Sequence, residues 1–146
     1  MSVFRGRYYH SIDEKGRVIL PSRLREVIAE KSEGQLVITN YSNYLIAFPL
    51  DEWRLLEDKI IQQSLFKKDL RDFQRDFMSG AMDCSVDSQG RVLIPPPLRE
   101  HAGLGKEIVL AGMVRTIEIW SKDRWEEELR RTSAKDFSDS IADLGI

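Results

Sequence analysis

The chain repeats itself, and the repeat constrains everything else that can be read from it. Residues 13–26 are DEKGRVILPSRLRE and residues 87–100 are DSQGRVLIPPPLRE. Asp, Gly, Arg, Val, Pro, Leu, Arg and Glu coincide at an offset of 74, and Gly6 matches Gly80 at the same offset. Downstream, QLVI (35–38) aligns with EIVL (107–110), and LIAFPLDEW (45–53) with IEIWSKDRW (117–125), now at an offset of 72. The change of two residues falls around Gly34 and Gly103–Gly105, where a loop absorbs it. Four blocks in the same order mark an internal duplication.

Both repeats predict the same elements. A short strand runs into a turn at D-x-x-G-R, whose glycine tolerates a positive φ. A β-branched run follows (Val18, Ile19, Leu20; Val92, Leu93, Ile94). Pro21 and Pro95 then open a helix whose first turn needs no donor from them. Leu24, Val27 and Ile28 give the first of these helices an apolar face. Two more strands are expected at 35–39 and 44–48, and at 107–111 and 115–120. A closing helix carries Asp51 near its start and Trp53, Leu56 and Ile60 at helical spacing. Its counterpart has Ser121 as N-cap, with Trp125 and Leu129 four apart. Between the repeats, Ser64 is placed to cap a helix carrying Phe66, Leu70, Phe73 and Phe77.

A repeat without its helical tail has only about 45 residues, too few to bury a core that stands alone. The expected remedy is that the two interleave their strands into one shared barrel of pseudo-twofold symmetry, which also removes free edges. The fold class is therefore β-rich α+β: two tandem units in a pseudo-twofold barrel with flanking helices. The units span 5–53, with a closing helix to about 61, and 79–125, with a closing helix to about 132. Residues 62–78 form a connecting helix, and 133–146 a flexible tail with few packing cues.

Composition narrows the class. At 42% hydrophobic and 32% charged residues, the chain belongs with folded globular proteins. No apolar run approaches a membrane span, and the opening MSVFRGRYYH lacks a signal peptide's apolar core. Cys84 is the lone cysteine, so no internal disulfide forms and a cytoplasmic setting is expected. No Cys or His cluster has metal-ligand spacing, no phosphate-binding or nucleophile-elbow motif occurs, and His10 aligns with Cys84 rather than with a second ligand. No catalytic residue, cofactor or metal is expected.

Net charge is −2, but its distribution is uneven. Residues 5–25 hold six basic groups (Arg5, Arg7, Lys15, Arg17, Arg23, Arg25) against two acidic ones (Asp13, Glu14). The aligned window 79–99 holds Arg91 and Arg99 against Asp83 and Asp87, with Ser79, Ala81 and Gln89 replacing Arg5, Arg7 and Lys15. One face of a near-neutral chain can thus attract phosphate.

F-R-G-R at 4–7, with D-E-K-G-R at 13–17 and D-S-Q-G-R at 87–91, resembles the MraZ family. Tandem D-x-x-x-R motifs, each followed by a hydrophobic triplet and Pro, carry the resemblance over nearly the whole chain. It implies AbrB-like (SpoVT-AbrB) swapped-hairpin units and sequence-specific binding of double-stranded DNA at promoter repeats. It also implies control of the division and cell-wall gene cluster including its own gene, association with the nucleoid, and a ring-shaped homo-oligomer. The family's DNA-contacting loop maps onto Lys15, Gly16 and Arg17, with Arg91 in the second repeat. Gln89, where the first repeat has Lys15, departs from that pattern.

Taken by themselves, Asp13 and Arg17 fit either a surface turn closed by its own ion pair or a hairpin tip that displays Arg17 to a groove. The duplication and the nearby positive charge favour DNA. Asp13 and Asp87 are expected to brace their loops, since a carboxylate facing phosphate is repelled. Gly16 and Gly90 are expected to be conformational. Arg5, Arg7 and Lys15 are candidate phosphate contacts. Arg25 and Arg99, each followed by Glu, are candidates for structural or intersubunit ion pairs. Trp53, Trp120 and Trp125 are expected in the core or an interface, and one of Tyr8 and Tyr9 in the core. The competing reading is an antitoxin-like or scaffold protein working through protein contacts. Antitoxins of AbrB-like fold carry an extended toxin-binding tail after a single domain, whereas this chain has two full repeats and a short tail.

Overall fold

A computed structural model describes residues 2–64, 66–132 and 137–146. In the first repeat β1 (Arg7–Ser11) and β2 (Arg17–Ile19) flank the D-x-x-G-R turn. Helix α1 (Ser22–Ser32), β3 (Gln35–Tyr41), β4 (Tyr44–Pro49) and α2 (Leu50–Ile61) follow. After a connector holding α3 (Lys68–Phe73), the second repeat gives β5 (Met82–Ser85), β6 (Arg91–Leu93), α4 (Pro96–Ala102), β7 (Glu107–Gly112), β8 (Ile117–Ser121) and α5 (Lys122–Arg131). A short α6 (Ser138–Asp143) comes last.

The repeats are interleaved as their size requires. β1 pairs antiparallel with β7 of the other repeat, with Tyr8 opposite Leu110, and β5 pairs with β3, with Leu36 opposite Cys84. The sheet order β1-β7-β8-β4-β3-β5 is symmetric about the β8–β4 pair. β2 and β6 form a separate two-stranded ribbon in which Val18 faces Val92. An Ile12–Val18 bridge ties the ribbon to the end of β1. Pseudo-twofold symmetry therefore relates β1–β4 to β5–β8, and neither repeat owns a complete barrel.

The alternation of the strands fills the space between sheet and ribbon. Val18, Ile38, Leu45, Val92, Ile94 and Ile108 belong to one buried cluster drawn from both repeats. Leu24 and Ile28 of α1 and Leu98 and Ala102 of α4 seal it. The interior keeps a cavity of only about 10 Å³, lined by aliphatic side chains that offer a water no polar partner. Outside the sheet, the closing helices dock through equivalent tryptophans. Trp53 joins Val37 and Phe77, while Trp125 joins Val109, Ala111 and Trp120. All three tryptophans are buried, and Tyr44 stacks on Trp120 at 4.2 Å. Tyr8 packs against the main core and Tyr9 is exposed, as alternation along one strand demands.

Helix boundaries follow local chemistry. Pro21 and Pro95 stand immediately before α1 and α4, with no side-chain cap. α4 stops at Gly103 in the left-handed region (φ 60°). The Ser121 hydroxyl accepts from Arg124 N (3.2 Å) and caps α5 as expected.

The connector is not one continuous helix. Ser64 Oγ accepts from Phe66 N (3.3 Å), closing a local turn rather than capping a helix, so α3 starts only at Lys68. Phe66 is 88% exposed instead of joining the aromatic stripe. After α3 the backbone widens into a π-helical turn, Gln74–Met78. There Thr39 Oγ1 donates to Phe77 O (2.6 Å) and Asn40 Nδ2 donates to Asp76 Oδ1 (3.1 Å), so β3 satisfies groups of the widened turn. Phe77 is thereby held against Phe73 (4.9 Å) and Trp53 (5.9 Å). Of the expected flexible tail at 133–146, residues 133–136 lie outside the described residues and Ser138–Asp143 form α6. The strand expected at 115–120 begins only at Ile117, because Val114 (φ 70°) turns the chain before it.

Candidate nucleic-acid interface

Each D-x-x-G-R segment folds into the same carboxylate-centred loop. Asp13 Oδ1 accepts from the backbone N–H groups of Lys15 (2.9 Å) and Arg17 (2.8 Å), while Oδ2 accepts from Arg17 Nε (2.8 Å). Asp87 repeats this with Gln89 N (2.9 Å), Arg91 N (2.8 Å) and Arg91 Nε (2.9 Å). The Arg17 backbone N–H does most to hold the Asp13 carboxyl below the usual carboxylate range; desolvation opposes it, and the Arg17 guanidinium and Lys15 N–H add to the lowering. Asp87 is lowered by the equivalent contacts with Arg91 and Gln89. Both carboxylates thus brace their loops, and each arginine keeps its Nη groups for another acceptor.

The two loops are locked to one another across the repeats. Gly16 O accepts from Ile94 N (2.8 Å), and Gly90 O accepts from Leu20 N (2.9 Å). Gly16 (φ 86°) and Gly90 (φ 78°) occupy the left-handed region. A Cβ on Gly16 would lie 2.6 Å from Arg99 Cζ, and one on Gly90 2.4 Å from Arg25 Nη1. The glycines therefore serve twice, for the turn and for the close approach of an arginine from the opposite repeat. Among the described residues neither Arg25 nor Arg99 joins an ion pair within the chain, and each covers the other repeat's loop with its Nε buried and unpartnered. Sequence pairing of Arg25 with Arg99 signalled an equivalence; only the swap reveals the target.

The site thus gathers Lys15, Gly16, Arg17, Gly90 and Arg91 around the β2–β6 ribbon. Arg5 and Arg7 lie elsewhere. Six residues of extended chain separate Arg7 from Asp13, about 20 Å at strand rise, and the Arg7 guanidinium sits 5.5 Å from the Trp125 ring. Arg5 is exposed, with its backbone packed against Gly112. Sequence reasoning passed over Ile19 and Leu93, which flank inward-facing Val18 and Val92 and are 57% and 52% exposed. Period-two alternation was the signal that could have found them.

No group of three or more His, Cys, Asp or Glu among the described residues could hold a metal. Burial, aided by the charge of Asp83, pushes the Cys84 thiol up to about 11, leaving it protonated. No described helix is long and apolar enough to cross a membrane.

Two intertwined repeats, each raising a braced loop beside a shared ribbon, define a tandem swapped-hairpin protein. The family model described as "MraZ protein, putative antitoxin-like" matches twice, at residues 3–76 and 77–144, and the chain belongs to the MraZ family. Proteins named transcriptional regulator MraZ are close relatives. That of Caldanaerobacter subterraneus is 47% identical over 128 residues (87% of each chain). The Thermoanaerobacter protein is 43% identical over 144 residues (97% of this chain, 98% of the relative), and the Clostridium beijerinckii protein 47% over 149 (99% and 100%). These relatives are named as regulators, not as enzymes.

Proposed function

We propose that the chain is a DNA-binding transcriptional regulator that presents the β2–β6 ribbon and its two loops to the major groove. The observation carrying this reading is the pair of equivalent, carboxylate-braced loops whose partly exposed Arg17 and Arg91 each keep their Nη groups for another acceptor. A two-stranded ribbon fits the major groove, and arginine can donate two hydrogen bonds to guanine O6 and N7. Asp13 and Asp87 hold the arginine stems in place before DNA arrives, which reduces the ordering cost of binding. Exposed Lys15 adds a phosphate contact in the first repeat that Gln89 does not supply in the second.

Finer features follow the family: targets are repeated sites upstream of division and cell-wall genes including its own, and the working form is a homo-oligomeric ring in the cytoplasm at the nucleoid. Several loops of such a ring engaging successive repeats raise affinity through effective concentration. The test is a footprint of the full chain on the DNA upstream of its own gene. Protection should fall on short repeats. Uniform, sequence-independent protection, or none, would overturn the proposal. The antitoxin-like wording of the family description gives the second reading, a protein-contact role, its one support; a footprint removes the need for it.

A further inference from the structure

The outer face of the ribbon carries two aliphatic side chains, Ile19 and Leu93, that are more than half exposed and belong to no buried cluster. Val18 and Val92 are 1% and 2% exposed, so alternation sends Arg17, Ile19, Arg91 and Leu93 to the other face. The register sets Arg17 opposite Leu93 and Ile19 opposite Arg91. The four form a rectangle with arginines on one diagonal and aliphatics on the other. Strand rise and spacing make it about 7 Å by 5 Å, the height of roughly two stacked base pairs at 3.4 Å each. The position of Ile19 is fixed: its carbonyl accepts from His10 Nδ1 (3.0 Å).

Both repeats place an aliphatic residue where the fold asks only for solvent exposure, and both place it beside an arginine. An apolar partner is a poor occupant, because covering the aliphatic diagonal would also bury two guanidinium groups. The major-groove edge of DNA suits both diagonals: it offers acceptors for arginine and, at thymine alone, a methyl group.

Resting on the DNA-binding reading above, we propose that Ile19 and Leu93 are specificity residues that read thymine, each packing on a thymine C5-methyl beside the base contacted by an arginine. A cytosine at that place leaves the aliphatic side chain without its contact, so these two positions impose sequence preference that the arginines alone do not.

The experiment compares two DNAs of identical sequence from upstream of the chain's own gene, one made with thymidine and one with deoxyuridine, which lacks only the methyl. The full-length protein and its Ile19→Ala, Leu93→Ala double variant are titrated against both at one salt concentration, and each is sized by light scattering. The parent protein should lose about fourfold in affinity per methyl contacted. The double variant should bind both DNAs equally, with the reduced affinity of the parent for the deoxyuridine DNA. An Ile19→Ser, Leu93→Ser pair, whose side chains suit an exposed strand, should behave alike. A parent protein indifferent to the methyl overturns the inference, as does a methyl preference that survives in both variants. A change in particle size would instead assign the patch to contacts between subunits and also overturn it. Failure of the parent to bind either DNA is a separate result that removes the DNA-binding reading itself.

Discussion

Replacing Phe4 by Ala should unfold both repeats to the same extent, although Phe4 belongs in sequence to the first alone. Phe4 is 1% exposed and lies in the main core. Its backbone pairs with Val114 of the second repeat through two hydrogen bonds of 2.9 Å. Truncating a fully buried phenylalanine costs about 3–5 kcal/mol in lost transfer energy and residual cavity. With a urea slope of roughly 2 kcal/mol/M, the midpoint should fall by about 1.5–2.5 M at unchanged slope. The assay is urea unfolding at fixed protein concentration, since oligomerisation couples stability to concentration. Native-state hydrogen exchange should accompany it, read at β3 of the first repeat and β7 of the second. Protection of the slowest amides in both strands should drop by the same free energy, because one shared core opens as a unit. A drop confined to β3, with β7 unchanged, would refute interleaving as the source of stability, as would a loss below about 1 kcal/mol.

The remaining predictions concern backbone packing, titration and salt. Gly80→Ala should destabilise by about 1–3 kcal/mol: a Cβ there lies 2.0 Å from Asn40 Oδ1 and 2.9 Å from the Asp76 carbonyl, and the latter is backbone that cannot swing away. Gly105→Ala meets nothing within 4 Å and should leave thermal unfolding unchanged or slightly raised. The Asp13 carboxyl, titrated by carbon-13 NMR, should have a midpoint below 3.8. Because the folded pKa is depressed, its stabilising contribution is present above the unfolded pKa and is lost as pH falls through the folded one. In Arg17→Ala the midpoint should rise only part of the way, since the backbone N–H of residue 17 is the largest cause; full recovery to 3.8 would show that the guanidinium alone sets it. Operator affinity should decline steeply from low to physiological salt as counterions are released, and a flat dependence would remove Lys15 and the arginines from the contact.

Much of this architecture was legible because the repeat did two things at once. It located equivalent turns, prolines and tryptophans, and it showed that each unit was too small to close a core alone. The D-x-x-G-R chemistry was also legible, since a carboxylate two to four residues before N–H donors favours a turn. What escaped was set by contacts distant in sequence. Arg25 and Arg99 are matched to glycines of the opposite repeat, and nothing local distinguishes that from an ion pair. Arg5 and Arg7 lie close to the loop in sequence but at the far end of a strand from it. Ser64 offered a helix cap, yet its hydroxyl found a nearer N–H, and the π-helical turn depends on Thr39 and Asn40 across the sheet. Ile19 and Leu93 sit in a wholly apolar run that shows no alternation; only the buried valines between the outward positions tell the two faces apart.

The most direct test of the central claim is the operator affinity of Arg17→Ala and Arg91→Ala, each titrated at one salt concentration and sized by light scattering. Both arginines hold the same geometry, so any difference comes from their surroundings: Lys15 stands beside the first and Gln89 beside the second. Arg17→Ala should weaken binding by about 1–3 kcal/mol, roughly 5- to 150-fold. Arg91→Ala should weaken it far less, and particle size should be unchanged in both. Equal losses would contradict the asymmetry between the repeats. Unchanged binding by both variants in correctly assembled protein would contradict the account as a whole, leaving the loops as structural turns and the DNA contact elsewhere.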